Sequence, residues 1–344
     1  MNPSFGVMAD FRNPPEAPRD DQALYAETLD TICYAEALGY DDVWLSEHHF
    51  TADGYCPSPL VVSAAIATRT RRIRIGQALL LLPLHHPLRV AEDGATLDVL
   101  SGGRFRLGVG LGYRPEEFAA LGIDKGSRVG RLEESVAIID QAWRTGVVTF
   151  RGRHFDLNEV AVRPRPVQRP RPEIWIGGLS EPAVRRAARL GDGLLAAGRR
   201  AYQWYADERA NAGLPAAPLK IAGAHEWYFV DRDPQRLLAR VAPNLVLYHN
   251  TVAGFFATAG QSMPMGPAQP ASLGDILASG RYVFCTPEDC AAQLASYLRA
   301  VPVSHFYLLG GLPGLPAEVA RGWLELFARQ VAPRVRAALS PGGD

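Results

Sequence analysis

The feature that most constrains this 344-residue chain is a repeated alternation, in which a short apolar run is followed by a longer segment with helical spacing. Phe5–Ala9 precedes Asp20–Leu38, which stops at Gly39. Val43–Ser46 precedes a helical stretch from about Pro57 to Thr68, and Arg72–Leu82 precedes Pro87–Leu100, which closes before Gly102-Gly103. Arg104–Val109 alternates with period two and leads into the amphipathic Arg131–Trp143. The second half pairs Glu173–Ile176 with Glu181–Leu190, Gly193–Ala197 with Ala201–Ala212, Leu219–Val230 with Gln235–Leu247, and Ser304–Leu309 with Pro316–Val331. A helix between each strand and the next makes consecutive strands parallel, and mostly apolar strands are covered on both faces. Eight such units predict a closed (β/α)8 TIM barrel, spanning residues 1–344 as one domain, over an open doubly wound sheet.

Two segments break the rhythm. Val147–Asn158 followed by VRPRPVQRPRP reads as a β-hairpin and a solvated connector, and Tyr248–Val283, rich in Gly, Pro, Met and Phe, is a candidate lid insertion. Tyr248, Phe255, Phe256, Met263 and Met265 give that lid an apolar lining, against the alternative of a surface insertion. Lys+Arg and Asp+Glu both number 36, so net charge is zero, which argues against nucleic acid as the main partner. Cys33, Cys56, Cys285 and Cys290 form neither a C-x-x-C pair nor a zinc pattern, and read as free thiols. The N-terminus lacks a secretion-signal pattern, and the longest apolar run falls short of the ~20 residues of a membrane span, so a cytoplasmic protein with no membrane partner is expected.

In a barrel, chemistry sits on the loops that follow the strand C-termini. After the second strand stands Glu47-His48-His49. His48 is the candidate general acid or base, since imidazole titrates near neutrality; a structural, hydrogen-bonded histidine is the competing reading. Glu47 is either a catalytic carboxylate or one arm of a buried salt bridge with arginine. His85-His86-Pro87 reads as a loop end and helix start, with no carboxylate or cysteine expected to complete a metal set, so no metal is expected. Gly108–Gly112 (GVGLG) offers either a surface for a flat ligand or a tight turn. Gly177-Gly178-Leu179-Ser180 precedes a helix, where free N–H groups and a serine hydroxyl suit a phosphate; a glycine turn with a serine cap is the alternative.

The motifs FGVMADF, YAEALGYDDVWLSEHHF, HHPLRVAEDGATLDVLSGGRFRLGVGLGYRPEEFAALGI, RLEESVAIIDQAW, RPRPEIWIGGLSEPAVRRAARLGDGLL and TPEDCAAQLASYL, in this order, resemble the bacterial luciferase-like flavin monooxygenases. The resemblance covers most of the chain outside about 199–280, and WLSEHHF is similar to the luciferase α-subunit branch. It implies a flavin over the barrel mouth, a catalytic role for His48, Glu47 in the same shell, and a cis peptide at Ala78-Leu79 beneath the flavin. It places the phosphate at Gly178, Leu179 and Ser180, with Gly177 ahead of them. Gly110 and Leu111 stand where luciferase has a reactive cysteine and a phosphate-binding arginine, so light emission is not expected. Tyr113 and Arg114 stand where the deazaflavin branch has an acidic residue.

The implied activity is that of a monooxygenase using reduced FMN from a separate flavin reductase. With O2 and a C4a-peroxyflavin it would oxygenate a small, apolar organic substrate, and a homodimer is expected. The alternatives are a deazaflavin-dependent hydride-transfer enzyme, a non-catalytic flavin-binding protein, and a hydrolase using Glu47.

Overall fold

A computed structural model describes residues 2–196, 198–214, 219–224, 226–261, 270–301 and 303–340. Its first half runs β1 (Ser4–Ala9), α1 (Asp21–Ala37), β2 (Asp42–Leu45), α2 (Pro59–Arg69), β3 (Arg74–Gln77), α3 (Pro87–Ser101), β4 (Phe105–Val109), α4 (Pro115–Ala120) and α5 (Arg128–Thr145). It continues through β5 (Val147–Arg151), β6 (Asp156–Ala161), β7 (Ile174–Gly177), α6 (Glu181–Leu190), β8 (Gly193–Leu195), α7 (Arg199–Asn211), β9 (Ile221–Ala222) and β10 (Trp227–Val230). The last part holds α8 (Pro234–Thr258), α9 (Leu273–Ala278), β11 (Tyr282–Cys285), α10 (Pro287–Ala300), β12 (His305–Leu309), α11 (Ala317–Leu326) and α12 (Ala332–Leu339).

Local chemistry sets many of these boundaries. Asp20 caps α1 by accepting from the Ala23 N–H, and Thr286 caps α10 by accepting from the Asp289 N–H. Pro87 opens α3, and Gly102, at φ 65°, ends it in the left-handed conformation that glycine adopts without penalty.

β1, β2, β3, β4, β7, β8, β9 and β12 close into a parallel barrel, with β1 paired to both β2 and β12. Its interior is plugged by Trp44, Trp175, Leu195 and Ala222. At the strand N-termini lies a buried polar layer, in which Arg106 reaches Asp42 at 2.8 Å and Glu173 at 3.1 Å. On the plug rest the partly exposed Met8, Ala78, Leu79 and Tyr307.

Two expectations need correction, for the seventh strand and for the connector. Leu219–Val230 is two strands: β9 completes the barrel, whereas β10 leaves it and pairs in parallel with β11. The candidate lid is largely regular structure, because α8 runs on through Tyr248 to Thr258 and is followed by α9 and β11. Met263 and Met265 lie outside the described residues. The arginines of the connector are engaged rather than simply solvated: Arg171, 8% exposed, bonds Asp140 and Asp192, and Arg163 and Arg165 donate to backbone carbonyls at the end of α5. The β5–β6 hairpin is antiparallel, as its sequence predicts. No helix of the described residues is long and apolar enough to cross a membrane.

Candidate active site

His48 follows β2 at the C-terminal mouth of the barrel. Its Nδ1 lies 2.9 Å from Oε1 of Glu117, a buried residue of α4, and the same oxygen accepts the His49 N–H at 2.9 Å and lies 3.3 Å from Arg114 Nη1. Burial pushes the Glu117 carboxyl upward, but the bond and charge of His48, the His49 N–H and Arg114 hold it below its ordinary range. An ionised carboxylate only accepts, so Nδ1 of His48 carries the hydrogen and Nε2 faces the site. Nε2 is 3.5 Å from the Tyr113 hydroxyl. Tyr55, Tyr113 and Phe255 enclose the imidazole, with ring centroids 4.9, 5.5 and 5.2 Å away. Phe256 stacks on Tyr113 at 4.6 Å, so the last turns of α8 cover this side of the mouth.

Glu47 turns the other way. Its Oε1 is 2.9 Å from Nε2 of His49 and 2.7 Å from Nε2 of His85, and Oε2 accepts the Leu81 N–H. Burial alone would raise this carboxyl, but those donors win and hold it at about 2, while the bond to Glu47 raises His49. Two expectations fall here: Glu47 has histidine partners rather than an arginine, and it supplies the carboxylate missing from the reading of His85-His86. Glu47, His49 and His85 each present one potential ligand atom, all within 4.8 Å of one another. Their 2.7 and 2.9 Å separations are those of hydrogen bonds, with a proton on each nitrogen facing the carboxylate.

The Ala78–Leu79 peptide is cis, and Leu79 lies between Gly110 and Gly177. A Cβ on Gly110 would meet the Leu79 side chain at 2.4 Å, and one on Gly177 at 2.5 Å. The glycines thus hold Leu79 low on the barrel floor. Gly178 acts differently: a Cβ there would meet Ala183 Cβ at 2.7 Å and its carbonyl carbon at 3.0 Å, so this glycine lets β7 turn tightly against α6. Leu179 is exposed, and Ser180 occupies the N-cap position of α6 without spending its hydroxyl on a capping bond.

The model of the luciferase-like monooxygenases matches residues 4–304. The chain belongs to this luciferase-like family. Solved proteins that share this fold include a monooxygenase and F420-dependent oxidoreductases. The chain is 37% identical over 166 residues, 47% of its length and 44% of the relative's, to 4-hydroxyprotoasukamycin monooxygenase of Streptomyces nodosus subsp. asukaensis. It is 28% identical to the F420-dependent glucose-6-phosphate dehydrogenase of Amycolatopsis mediterranei, over 88% of this chain and 92% of that one. The chain spans about half the length of several of the curated relatives that it matches. Monooxygenase RslO1 from Streptomyces bottropensis shares the fold with a TM-score of 0.80 at 24% identity, covering 96% of this chain and 99% of that one.

Within the luciferase-like barrel, Gly177 ends β7, and His48, Ala78, Leu79, Gly110, Gly178 and Ser180 stand beside it at the C-terminal mouth, on the loops after β2, β3, β4 and β7. Sequence reasoning missed Glu117 and Tyr55. The signal available for Glu117 was its place in the first turn of a helix just past the glycine-rich end of β4.

Proposed function

We propose that this luciferase-like barrel is a monooxygenase that receives reduced FMN from a separate reductase and uses O2 to oxygenate a small, largely apolar organic molecule. The observation that carries this reading is His48, oriented by a buried carboxylate and walled by Tyr55, Tyr113 and Phe255. The site fits a flavin in two ways. Met8, Ala78, Leu79 and Tyr307 make a partly exposed apolar floor, kept low because Gly110 and Gly177 have no Cβ to lift Leu79. The start of α6 offers backbone donors and the uncommitted Ser180 hydroxyl to a phosphate.

Bound reduced FMN supplies the electrons that activate O2. The protein's residues do the rest. The floor orients the ring, Ser180 and its neighbouring N–H groups hold the phosphate, and the aromatic wall excludes water. His48 takes or returns a proton at Nε2, with Glu117 fixing the tautomer and stabilising the imidazolium. A homodimer and a partner reductase belong to the same proposal; sedimentation equilibrium and reductase-coupled turnover test them.

A second reading has one observation in its favour. Tyr113 and Arg114 leave no acid directly at the β4 loop, but Glu117, three residues after Arg114, turns its carboxylate back to His48. That brings a carboxylate to the mouth, near where the deazaflavin branch has its acidic residue. Anaerobic titration with reduced FMN and with reduced deazaflavin, followed by 18O2 and a panel of small carbonyl and aromatic compounds, separates the two. Saturation by FMN with label in the product is expected. Saturation by the deazaflavin alone, without oxygen uptake, would sink the oxygenase reading.

A further inference from the structure

Arg12, just past the end of β1, is 3% exposed and sits between two aromatic rings, its Cζ 4.5 Å from the centroids of both Tyr55 and Tyr248. Nε and Nη2 are spent on Asp10, with Nε 2.9 Å from Oδ1. Nη1 is buried and has no hydrogen-bond partner among the described residues. The ring faces attract the cation's charge but offer no lone pair to an N–H, and a buried donor left unmet is destabilising. Arg12 lines a small cavity at the mouth with Met8, Ser46, Cys56, Tyr248 and Leu309. Tyr55, one wall of that cavity, is also a wall of His48. A charged donor with a spare N–H, apolar neighbours and a ring shared with the proposed proton-transfer residue together form a polar anchor beside the reaction centre.

We propose that Arg12 Nη1 binds a carboxylate or carbonyl oxygen of the organic substrate, the oxygen entering this small cavity beside Leu309 while the substrate's apolar part stays outside it in the mouth. The assignment rests on the proposed oxygenase reading only in taking that oxygen from the substrate. The same chemistry is present in the ring carbonyls of a reduced flavin, so the test separates the two sources. Because Asp10 already offsets the charge of Arg12, the anchor accepts a neutral carbonyl as well as an anion, whereas a cation of the same shape meets Nη1 as a like charge.

Isothermal titration with hexanoate, hexan-2-one and hexylammonium, without flavin, tests the anchor. Hexanoate and hexan-2-one should saturate the parent, and hexylammonium should not. Arg12→Gln should weaken hexanoate at least tenfold. Should that variant fail to fold, Leu309→Phe fills the cavity while leaving the Arg12–Asp10 pair whole, and should weaken hexanoate by a similar factor. Arg12→Lys, titrated anaerobically with reduced FMN, should bind it within a few-fold of the parent. Hexanoate binding that is absent from the parent, or unchanged in both Arg12→Gln and Leu309→Phe, overturns the proposal. So does loss of reduced FMN affinity in Arg12→Lys with hexanoate affinity kept, which would hand the anchor to the flavin. Since the hexanoate arm uses neither flavin nor oxygen, a failed oxygenase assay leaves its result standing.

Discussion

Glu117 Oε1 holds the Nδ1 hydrogen of His48 at 2.9 Å, and the carboxylate has no measurable exposure. Because the same oxygen also takes the His49 backbone N–H, the position of the imidazole is tied to the main chain that carries it. In Glu117→Gln an amide oxygen can keep both bonds but brings no charge. Turnover should fall by roughly 10- to 100-fold with substrate KM little changed. Equal losses in kcat and in the melting temperature would reduce Glu117 to a structural role.

Replacing His48 itself removes the group that manages the proton. His48→Ala should slow product formation by roughly 10²–10⁴ while flavin affinity stays within a few-fold. His49 faces Glu47 instead, so His49→Ala should act mainly on stability. Steady-state kinetics beside thermal melts decide the matter, and a dead His49→Ala with a normal His48→Ala would reverse the assignment.

The glycines of the mouth should separate by cause. Gly178→Ala pushes a methyl against the backbone of α6, so it should cost about 1–3 kcal/mol in denaturant unfolding with no flavin present. Gly110→Ala meets only the Leu79 side chain, which can shift. Its stability should stay near the parent's while reduced FMN binds less tightly. Identical stability of Gly178→Ala and the parent would return Gly178 to a role in ligand approach.

At the opposite end of the barrel, burial and the nearby Arg106 charge lower His305 to about 3. The folded protein keeps this imidazole neutral, whereas the unfolded chain protonates it below its ordinary value of 6.5. Stability is therefore lost as pH falls through that window. Between pH 7 and 5 the loss from this one group is about 2 kcal/mol, and His305→Gln should lack it. Urea unfolding of both proteins at the two pH values checks the difference, and parallel slopes would contradict it.

The barrel was legible in the sequence because its strands are short and apolar and its helices carry clear stops, such as Gly39 and Gly102. What failed was the seventh unit, where Ile221–Ala222 and Trp227–Val230 share one apolar stretch but belong to different sheets. Pattern alone cannot tell two sheets apart when both bury their strands. In the site, His48 was found because it stands directly after a strand. Glu117 and Arg12 were not, since each matters through a contact across the mouth, to His48 and to Tyr55 and Tyr248 respectively. Glu47 was read as a candidate partner for arginine, and only the fold brings His85 to it from 38 residues away.

The brevity of β9 sets the place where the ring opens. With two residues in the strand and a single register pair to β12, His305 with Ala222, this joint has less ladder to break than any long neighbour such as β1 with its five pairs to β12. Amide hydrogens around Ile221–Gly223 will exchange with solvent ahead of those in β1 and β2, by local opening that leaves most of the barrel closed. The joint is a seam, and the wall is held shut there by Ser304, whose hydroxyl and backbone N–H both clasp Ile221, and by the Gly223 N–H, which donates to the His305 carbonyl.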